Sequence, residues 1–394
     1  MGSSTPWVIA TQVFKPGSGQ GRPCYELARL VASTGCTAYL VGNQIADDLR
    51  QMPGVKVVLH SRPRGSTVIG DLFLDRKTRQ TVRLLSLDKK KSPIVAMGGG
   101  TAIGSVNWVH YLHSAWFPGY RPWWTLHGIK HRLNNRYQVS RECRALRSAD
   151  LIIANSHHTR DEIIRHIGVD SSKVHVVYYG SDESETEPIT PLDRQQARIT
   201  LQLKPDLPVV SFVAGLGTDH RKGFDTLIQA WAIRRERLGQ DPGIILAAGP
   251  GNLPYWQQKI RASGLDNSIR LLGYRNDVAN LLAASDLLVS PTRYEPYGLN
   301  VHEALCRGIP AIVTRATGVG ERYPSELQGW LLENPDDPIE LESAISKIVD
   351  YPSSGALYRV PLERFAMELK SRSWRDMAED IVNIWTSQQK RAEL

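Results

Sequence analysis

The sequence has few of the features that mark membrane-spanning or disulfide-bonded proteins. It holds only four cysteines, Cys24, Cys36, Cys143 and Cys306, and their spacing fits no metal site. We therefore expect free thiols in a reducing compartment. No apolar run approaches the roughly 18 residues that cross a bilayer, and the first residues lack the basic and then apolar pattern of a signal peptide. These absences predict a cytoplasmic protein.

The signatures of several enzyme classes are also missing. The sequence has no Asp-x-Asp triplet that would hold a Mg²⁺ or Mn²⁺ nucleotide complex. It has no His-Glu-x-x-His helix, no Gly-x-Ser-x-Gly turn and no Walker lysine loop. We therefore expect neither a metal nor a bound cofactor.

Charge is distributed unevenly along the chain. The net charge is +8, but residues 1–180 hold 24 Lys and Arg against 11 Asp and Glu, which leaves the remainder at −5. Such a basic half suits a nucleic acid, an anionic membrane or an anionic substrate. Basic residues are not interleaved with aromatic ones, so we expect no nucleic acid. We hypothesise peripheral contact with an anionic membrane through Lys89–Lys91 or through cations between Lys130 and Arg147; a solvated basic face is the alternative.

Length and periodicity predict the architecture. A chain of 394 residues exceeds what one core usually supports, so we expect two domains. Short apolar runs alternate with helix-like segments from Trp7 to the tail, which predicts two doubly wound α/β domains with parallel sheets. An acidic, proline-containing stretch after Gly180 predicts a linker. The predicted domains are residues 1–183 and 184–374, with the helix-like residues 375–394 crossing back to the first domain.

Two glycine-containing loops follow predicted strands, where open parallel sheets bind ligands. The first has glycines at Gly17, Gly19 and position 21, which allow close approach of backbone to a ligand. It is neither a dinucleotide fingerprint nor a P-loop, and a flexible turn is the alternative. The second contains Gly217 and the adjacent cations Arg221 and Lys222 before a predicted helix. Two cations there can neutralise a diphosphate; a solvated pair is the alternative.

The most informative segment places Glu295 and Glu303 eight positions apart after an apolar run. Its layout predicts a strand, a loop and the start of a helix. The backbone N–H groups at Gly298, Leu299 and Asn300 can then bind a phosphate, while the carboxylates accept hydrogen bonds from hydroxyls. This predicts a ligand with both groups, as a nucleotide sugar has. A surface helix with chance glutamates is the alternative.

Two histidines end a further apolar run in the first domain. His110 and His113 follow Val106–Val109, where a neutral imidazole can hydrogen-bond a sugar hydroxyl. A structural histidine is the alternative for each.

Taken together, these segments resemble the family-four group of retaining glycosyltransferases with the GT-B architecture. That group has two glutamates separated by seven residues, as Glu295 and Glu303 are here. Arg221–Phe224 resembles its phosphate-binding loop, and Gly17-Ser18-Gly19 resembles its N-terminal glycine loop. The resemblance covers nearly the whole chain and implies two Rossmann-like domains that face a cleft.

The resemblance also implies roles for the residues. Glu295 would hold hydroxyls of the donor sugar and Glu303 those of the ribose. Arg221 and Lys222 would bind the diphosphate, with backbone N–H groups near Gly298–Asn300 and Gly19. The base would lie near Tyr274, and His113, with His110 as second choice, would be the histidine of the first domain.

The implied reaction is metal-independent transfer of a sugar, with retention, from a nucleotide diphosphate sugar to a hydroxyl of a glycan, glycolipid or small molecule. The mechanism would be front-face, and we favour UDP over GDP. The alternatives are a nucleotide-sugar epimerase, a glycan phosphorylase of the same architecture, or a non-catalytic nucleotide-sugar-binding protein. The sequence leaves the oligomeric state open.

Overall fold

The computed structural model of this chain describes residues 5–63, 66–117, 125–182, 186–350 and 352–393. It divides into two units. Unit 1 comprises Met1–Gly180 and Arg372–Leu394, and unit 2 comprises Ser181–Ser371. The predicted boundary between residues 183 and 184 lies outside the described residues.

Unit 1 is built of strands and helices that mostly alternate along the chain. Its elements before residue 181 are β1 (Trp7–Ala10), β2 (Val13–Phe14), α1 (Arg22–Ser33), β3 (Ala38–Gly42), β4 (Gln44–Ile45), α2 (Asp47–Gln51), β5 (Val55–Leu59), α3 (Thr67–Leu84), β6 (Ile94–Met97), β7 (Val106–Val109), α4 (Leu126–Ser148), β8 (Leu151–Ala154), α5 (His157–Ile167) and β9 (Val174–Val176). Seven strands form one parallel sheet in the order β5-β3-β1-β6-β7-β8-β9. The order reverses between β1 and β6, which is where such sheets bind ligands.

Unit 2 repeats the pattern with six strands. Its elements are α6 (Pro191–Thr200), β10 (Val209–Val213), α7 (Phe224–Leu238), β11 (Ile244–Ala248), α8 (Leu253–Ala262), β12 (Ile269–Gly273), α9 (Val278–Ala284), β13 (Leu287–Ser290), α10 (Leu299–Cys306), β14 (Ala311–Thr314), β15 (Leu331–Leu332), α11 (Pro338–Val349) and α12 (Pro352–Lys370). The sheet is parallel in the order β12-β11-β10-β13-β14-β15. The reversal falls between β10 and β13.

Burial explains why these segments are strands. All five residues of β11 and all four of β13 are buried, because helices cover both faces of a parallel sheet. The sequence prediction of doubly wound α/β domains with parallel sheets is confirmed.

The last helix, α13 (Trp374–Glu393), belongs to unit 1. It packs against α1, and the guanidinium carbon of Arg22 lies 4.9 Å from the ring centroid of Trp374. None of the helices in the described ranges combines the length and apolarity needed to cross a bilayer.

Candidate functional site

Lys222 and Glu295 meet where the sheet of unit 2 reverses its strand order. Lys222 lies in the loop after β10 and Glu295 in the loop after β13, and the ammonium Nζ donates to the carboxylate Oε2. The two side chains are only 19% and 16% exposed. Arg221 is adjacent, and its Nη1 donates to the carbonyl of Tyr294 at 3.2 Å. The structure therefore brings together Arg221 and Lys222, which the resemblance assigned to the diphosphate, and Glu295, which it assigned to the donor sugar.

The electrostatics of this pair keep Glu295 ionised. Burial by itself raises the pKa of the Glu295 carboxyl, but the charges of Lys222 and Arg221 outweigh burial and lower the pKa below its usual value. Hydrogen bonds from Lys222 and from the backbone N–H of Tyr297 act in the same direction. The loop thus holds an ionised acceptor beside two permanent donors.

Arg293 fixes the loop that carries the cations, and the sequence prediction missed it. Its guanidinium donates to both carboxylate oxygens of Asp225 at 2.9 Å, and its backbone N–H donates to the carbonyl of Arg221 at 2.8 Å. His220 Nδ1 lies 2.9 Å from the same Asp225 carboxylate. Burial raises the pKa of Asp225, yet the bonds from Arg293 lower it overall. This half-buried cluster fixes the backbone at Arg221, next to Lys222.

Two glycines have left-handed backbones that the site requires. Gly223 precedes α7 with φ +69°, and a Cβ there would lie 1.9 Å from the carbonyl of Pro291. Gly298 precedes α10 with φ +96°, and its Cβ would lie 2.9 Å from Thr317 Cγ2. Only glycine fits both positions without strain. They let the loops after β10 and β13 lie close together.

The start of α10 has the geometry of an anion site. The carbonyl of Gly298 accepts the first bonds of the helix, from the N–H groups of Val301 and His302. The N–H groups of Leu299 and Asn300 therefore precede the first hydrogen-bonded turn. The Asn300 side chain donates to the carbonyl of Val213 at 2.9 Å and so anchors α10 to the end of β10.

Three further residues of unit 2 that were predicted to bind the nucleotide sugar lie at the same edge of the sheet. Glu303 is half-buried, four residues after the start of α10. Tyr274 directly follows β12 and is 74% exposed, so its ring is available for stacking. Gly217 lies in the loop after β10. That loop is paired with the one after β11 through Leu216 and Gly251.

His302 supports α10 from inside the unit. Its Nδ1 lies 2.9 Å from the Tyr297 hydroxyl and its Nε2 lies 2.7 Å from Ser181 Oγ. Burial lowers the pKa of His302 to about 3, so the ring is neutral at physiological pH. The sequence alone offered no sign of this role, since Ser181 and His302 are 121 residues apart.

Unit 1 has a small pocket where its own sheet reverses. The pocket holds about 200 Å³ and is lined by residues of the glycine loop, of α3 and of the segment after β7. Ser18 and Gly21 line it, as do His110 and His113. Gly17 and Gly19 lie in the turn before α1, and neither is among the lining residues.

The two histidines have different surroundings. His110 Nδ1 contacts the Tyr179 hydroxyl, and burial lowers the pKa of His110 to about 3. His113 is 38% exposed, and its Nδ1 lies 3.3 Å from Oε1 of the buried Glu142. Glu142 also accepts the backbone N–H groups of His113, at 2.8 Å, and Ser114, at 3.0 Å. Glu142 thus orients His113 with Nε2 away from the carboxylate, a role that the sequence prediction missed.

Part of the predicted basic face is used internally. Arg141 donates to the carbonyls of Gly99 at 3.1 Å and Gly100 at 2.8 Å, Arg147 donates to the carbonyl of Ile167 at 3.0 Å, and Lys89 donates to that of Ser148. Each of these three cations of the predicted basic face thus holds a loop or helix end of unit 1, although Arg147 is exposed. Lys130, Arg132 and Arg136 remain exposed.

Within the described ranges, no three His, Cys, Asp or Glu side chains are grouped so that they could hold a metal ion.

Family models match both units. Residues 17–185 match the model described as Glycosyltransferase Family 4, and residues 207–350 match the model described as Glycosyl transferases group 1. Together they cover more than half of the chain. The chain belongs to the family-4-like glycosyltransferases.

The relatives of this glycosyltransferase chain share limited identity. Mannosylfructose-phosphate synthase of Agrobacterium fabrum is 28% identical over 191 residues, which are 46% of this chain and 41% of that protein. The chain spans about half the length of the curated relatives it matches first.

Solved structures match over nearly the full length and show the GT-B fold. WaaG, a glycosyltransferase involved in lipopolysaccharide biosynthesis, is 16% identical with a TM-score of 0.75 and covers 96% of this chain and 99% of its own. HepE of Anabaena, solved in complex with UDP-glucose, is 21% identical with a TM-score of 0.73 and covers 97% and 100%.

Proposed function

We propose that this glycosyltransferase transfers a sugar, with retention, from a nucleotide diphosphate sugar to an acceptor hydroxyl. The observation that carries the proposal is the contact of Lys222 with Glu295, beside Arg221 and the start of α10. A donor sugar brings hydroxyls and a diphosphate, and this loop pair offers a carboxylate acceptor beside cationic donors. Glu303, on α10, is assigned to the ribose.

The cations supply the electrostatic part of the mechanism. As the bond between the anomeric carbon and the diphosphate breaks, negative charge grows on the leaving oxygen. Arg221, Lys222 and the N–H groups of Leu299 and Asn300 are donors that need no reorganisation to stabilise this charge. We propose that they replace a metal ion in this role.

The same arrangement indicates where the proton of the acceptor hydroxyl goes. In a front-face reaction the acceptor oxygen attacks the anomeric carbon from the side on which the diphosphate leaves. The acceptor proton then passes to a diphosphate oxygen, and the configuration is retained. His113, with Nδ1 directed to Glu142, is assigned to a sugar hydroxyl through Nε2.

We favour UDP as the nucleotide. HepE, which has the same fold, binds UDP-glucose, and the exposed Tyr274 ring suits stacking on a base. The test is a thermal-shift series with UDP, GDP and ADP, because a ligand at about 100 times its Kd stabilises the folded state by about 2.7 kcal/mol. Glu303→Gln should lose the shift with UDP, whereas Glu326→Gln, at an exposed site of the same unit, should keep it. A shift with GDP alone would overturn the choice of base.

Product analysis separates the proposal from its alternatives. Proton NMR of the product should show the donor's anomeric configuration in a new glycosidic bond. An epimerised donor without an acceptor would indicate an epimerase, and free sugar phosphate would indicate a phosphorylase. Nucleotide binding without any turnover of the donor, hydrolysis included, would indicate a binding protein.

A further inference from the structure

Helices α3 and α4 share an exposed apolar surface outside the candidate site. Val68 and Leu72 lie one turn apart on α3, and Ile129 and Leu133 lie one turn apart on α4. A groove of about 430 Å³ is lined by Val68, Ile129 and Leu133 and so joins the two helices. Leu72 is 53% exposed and Leu133 is 64% exposed. We call these four residues and the cations Lys130, Arg132 and Arg136 the α3–α4 surface.

The exposed charge on α4 has one sign. Over its 23 residues α4 carries six cations and a single acid, Glu142. The Glu142 carboxylate is buried and accepts hydrogen bonds from His113 and Ser114. Lys130, Arg132 and Arg136 are exposed, and they alternate along the helix with the apolar side chains of the groove.

The acids of α3 do not neutralise this surface. Asp71 accepts a bond from Gln12 Nε2 at 2.9 Å, and Asp75 is engaged by Arg79 and Thr101. Within the described ranges no acid pairs with Lys130, Arg132 or Arg136. Exposed leucines beside such cations match the boundary of an anionic bilayer, whose headgroups attract the cations while its acyl region accepts the apolar side chains. A nucleic acid would satisfy the cations but would leave the leucines in water.

The α3–α4 surface also adjoins the small pocket of unit 1. Thr67 and Gln138 line the pocket, while their chain neighbours Val68 and Tyr137 line the groove. We propose that the α3–α4 surface docks on an anionic bilayer, so that the pocket opens beside the lipid headgroups. The docking depends on neither nucleotide binding nor transfer.

The test is co-sedimentation of the full chain with vesicles of phosphatidylcholine, alone or with about 30% phosphatidylglycerol. We expect binding to the anionic vesicles that weakens with salt. Replacement of Lys130, Arg132 and Arg136 by glutamine should lower the partition coefficient on the order of 100-fold, from about fivefold per cation. Leu72→Ser with Leu133→Ser should lower it on the order of tenfold.

A matched triple variant shows whether position matters. Lys56→Gln, Lys173→Gln and Lys390→Gln remove three exposed cations elsewhere in unit 1 and should leave binding within about threefold of the parent, since cations act only near the bilayer. Equal losses in both triple variants would overturn the docking surface in favour of net charge. Equal binding to neutral and anionic vesicles would overturn it too. The proposal would also be overturned if the chain did not bind vesicles but bound RNA or self-associated through the α3–α4 surface. Thermal unfolding of each variant confirms that it is folded.

Discussion

Replacement of Lys222 by methionine tests the central contact of the site. Removing one partner of a fully buried ion pair costs about 3–5 kcal/mol. Here the two side chains keep 19% and 16% exposure, and Arg221 still faces Glu295, so we expect a loss of about 2 kcal/mol. For a unit of about 190 residues this lowers Tm by about 4–8 °C. In a Glu295→Gln background the same replacement should cost under about 0.5 kcal/mol, since no buried carboxylate is left unpaired.

The pH dependence supplies a second check with a defined sign. The pKa of Glu295 is lowered in the folded protein, so the pair stabilises the fold above the ordinary glutamate pKa. This stabilisation disappears as pH falls through the lowered pKa. The difference in Tm between parent and Lys222→Met should therefore shrink below about pH 4. Differential scanning fluorimetry from pH 3.5 to about 8 measures it. The reasoning would be refuted if Lys222→Met alone lowered the free energy of unfolding by less than about 0.5 kcal/mol. It would also be refuted if Lys222→Met cost the same in the parent and in the Glu295→Gln background.

Further predictions concern the backbone, the histidine and metal ions. Gly298→Ala should abolish the UDP-induced shift, because its Cβ meets Thr317 at 2.9 Å in addition to the left-handed strain of about 1–2 kcal/mol. Gly308→Ala, with the same strain in open space, should keep the shift, and loss in both would contradict the steric argument. Glu142→Gln should lower kcat about tenfold or more and leave UDP binding unchanged, since an amide has only one acceptor oxygen for the His113 ring and the backbone N–H groups of His113 and Ser114. Glu142→Asp should restore part of the rate, and an unchanged pH–rate profile in Glu142→Gln would contradict positioning. Excess EDTA should leave turnover unchanged if Arg221 and Lys222 neutralise the diphosphate. A loss of turnover that Mg²⁺ or Mn²⁺ restores would show that a metal ion is needed instead.

Local patterns allowed most of the fold to be predicted. The runs at Gly243–Ala248 and Asp286–Ser290 are apolar enough to predict buried parallel strands, and the structure has β11 and β13 there. The glutamate segment was correctly placed across a loop and the start of α10, because glycine and the change of periodicity mark a strand-to-helix turn.

The support of the site could not be predicted. Arg293 and Asp225 are 68 residues apart, and Glu142 lies 29 residues from His113. Nothing in their local sequence distinguishes them from surface charges. The same holds for Arg141, which reads as part of a basic face but donates to backbone carbonyls after β6.

By itself the sequence determined the alternating elements, the glycines at the turns and the residue types available for a phosphate and a sugar. These follow from hydrophobic periodicity and backbone preference, which are local. Only the tertiary structure decided that Lys222 and Glu295, 73 residues apart, are in contact. The reason is the strand order: β10 and β13 are neighbours in the sheet, so the loops after them meet, and side-chain packing across the whole unit sets that order.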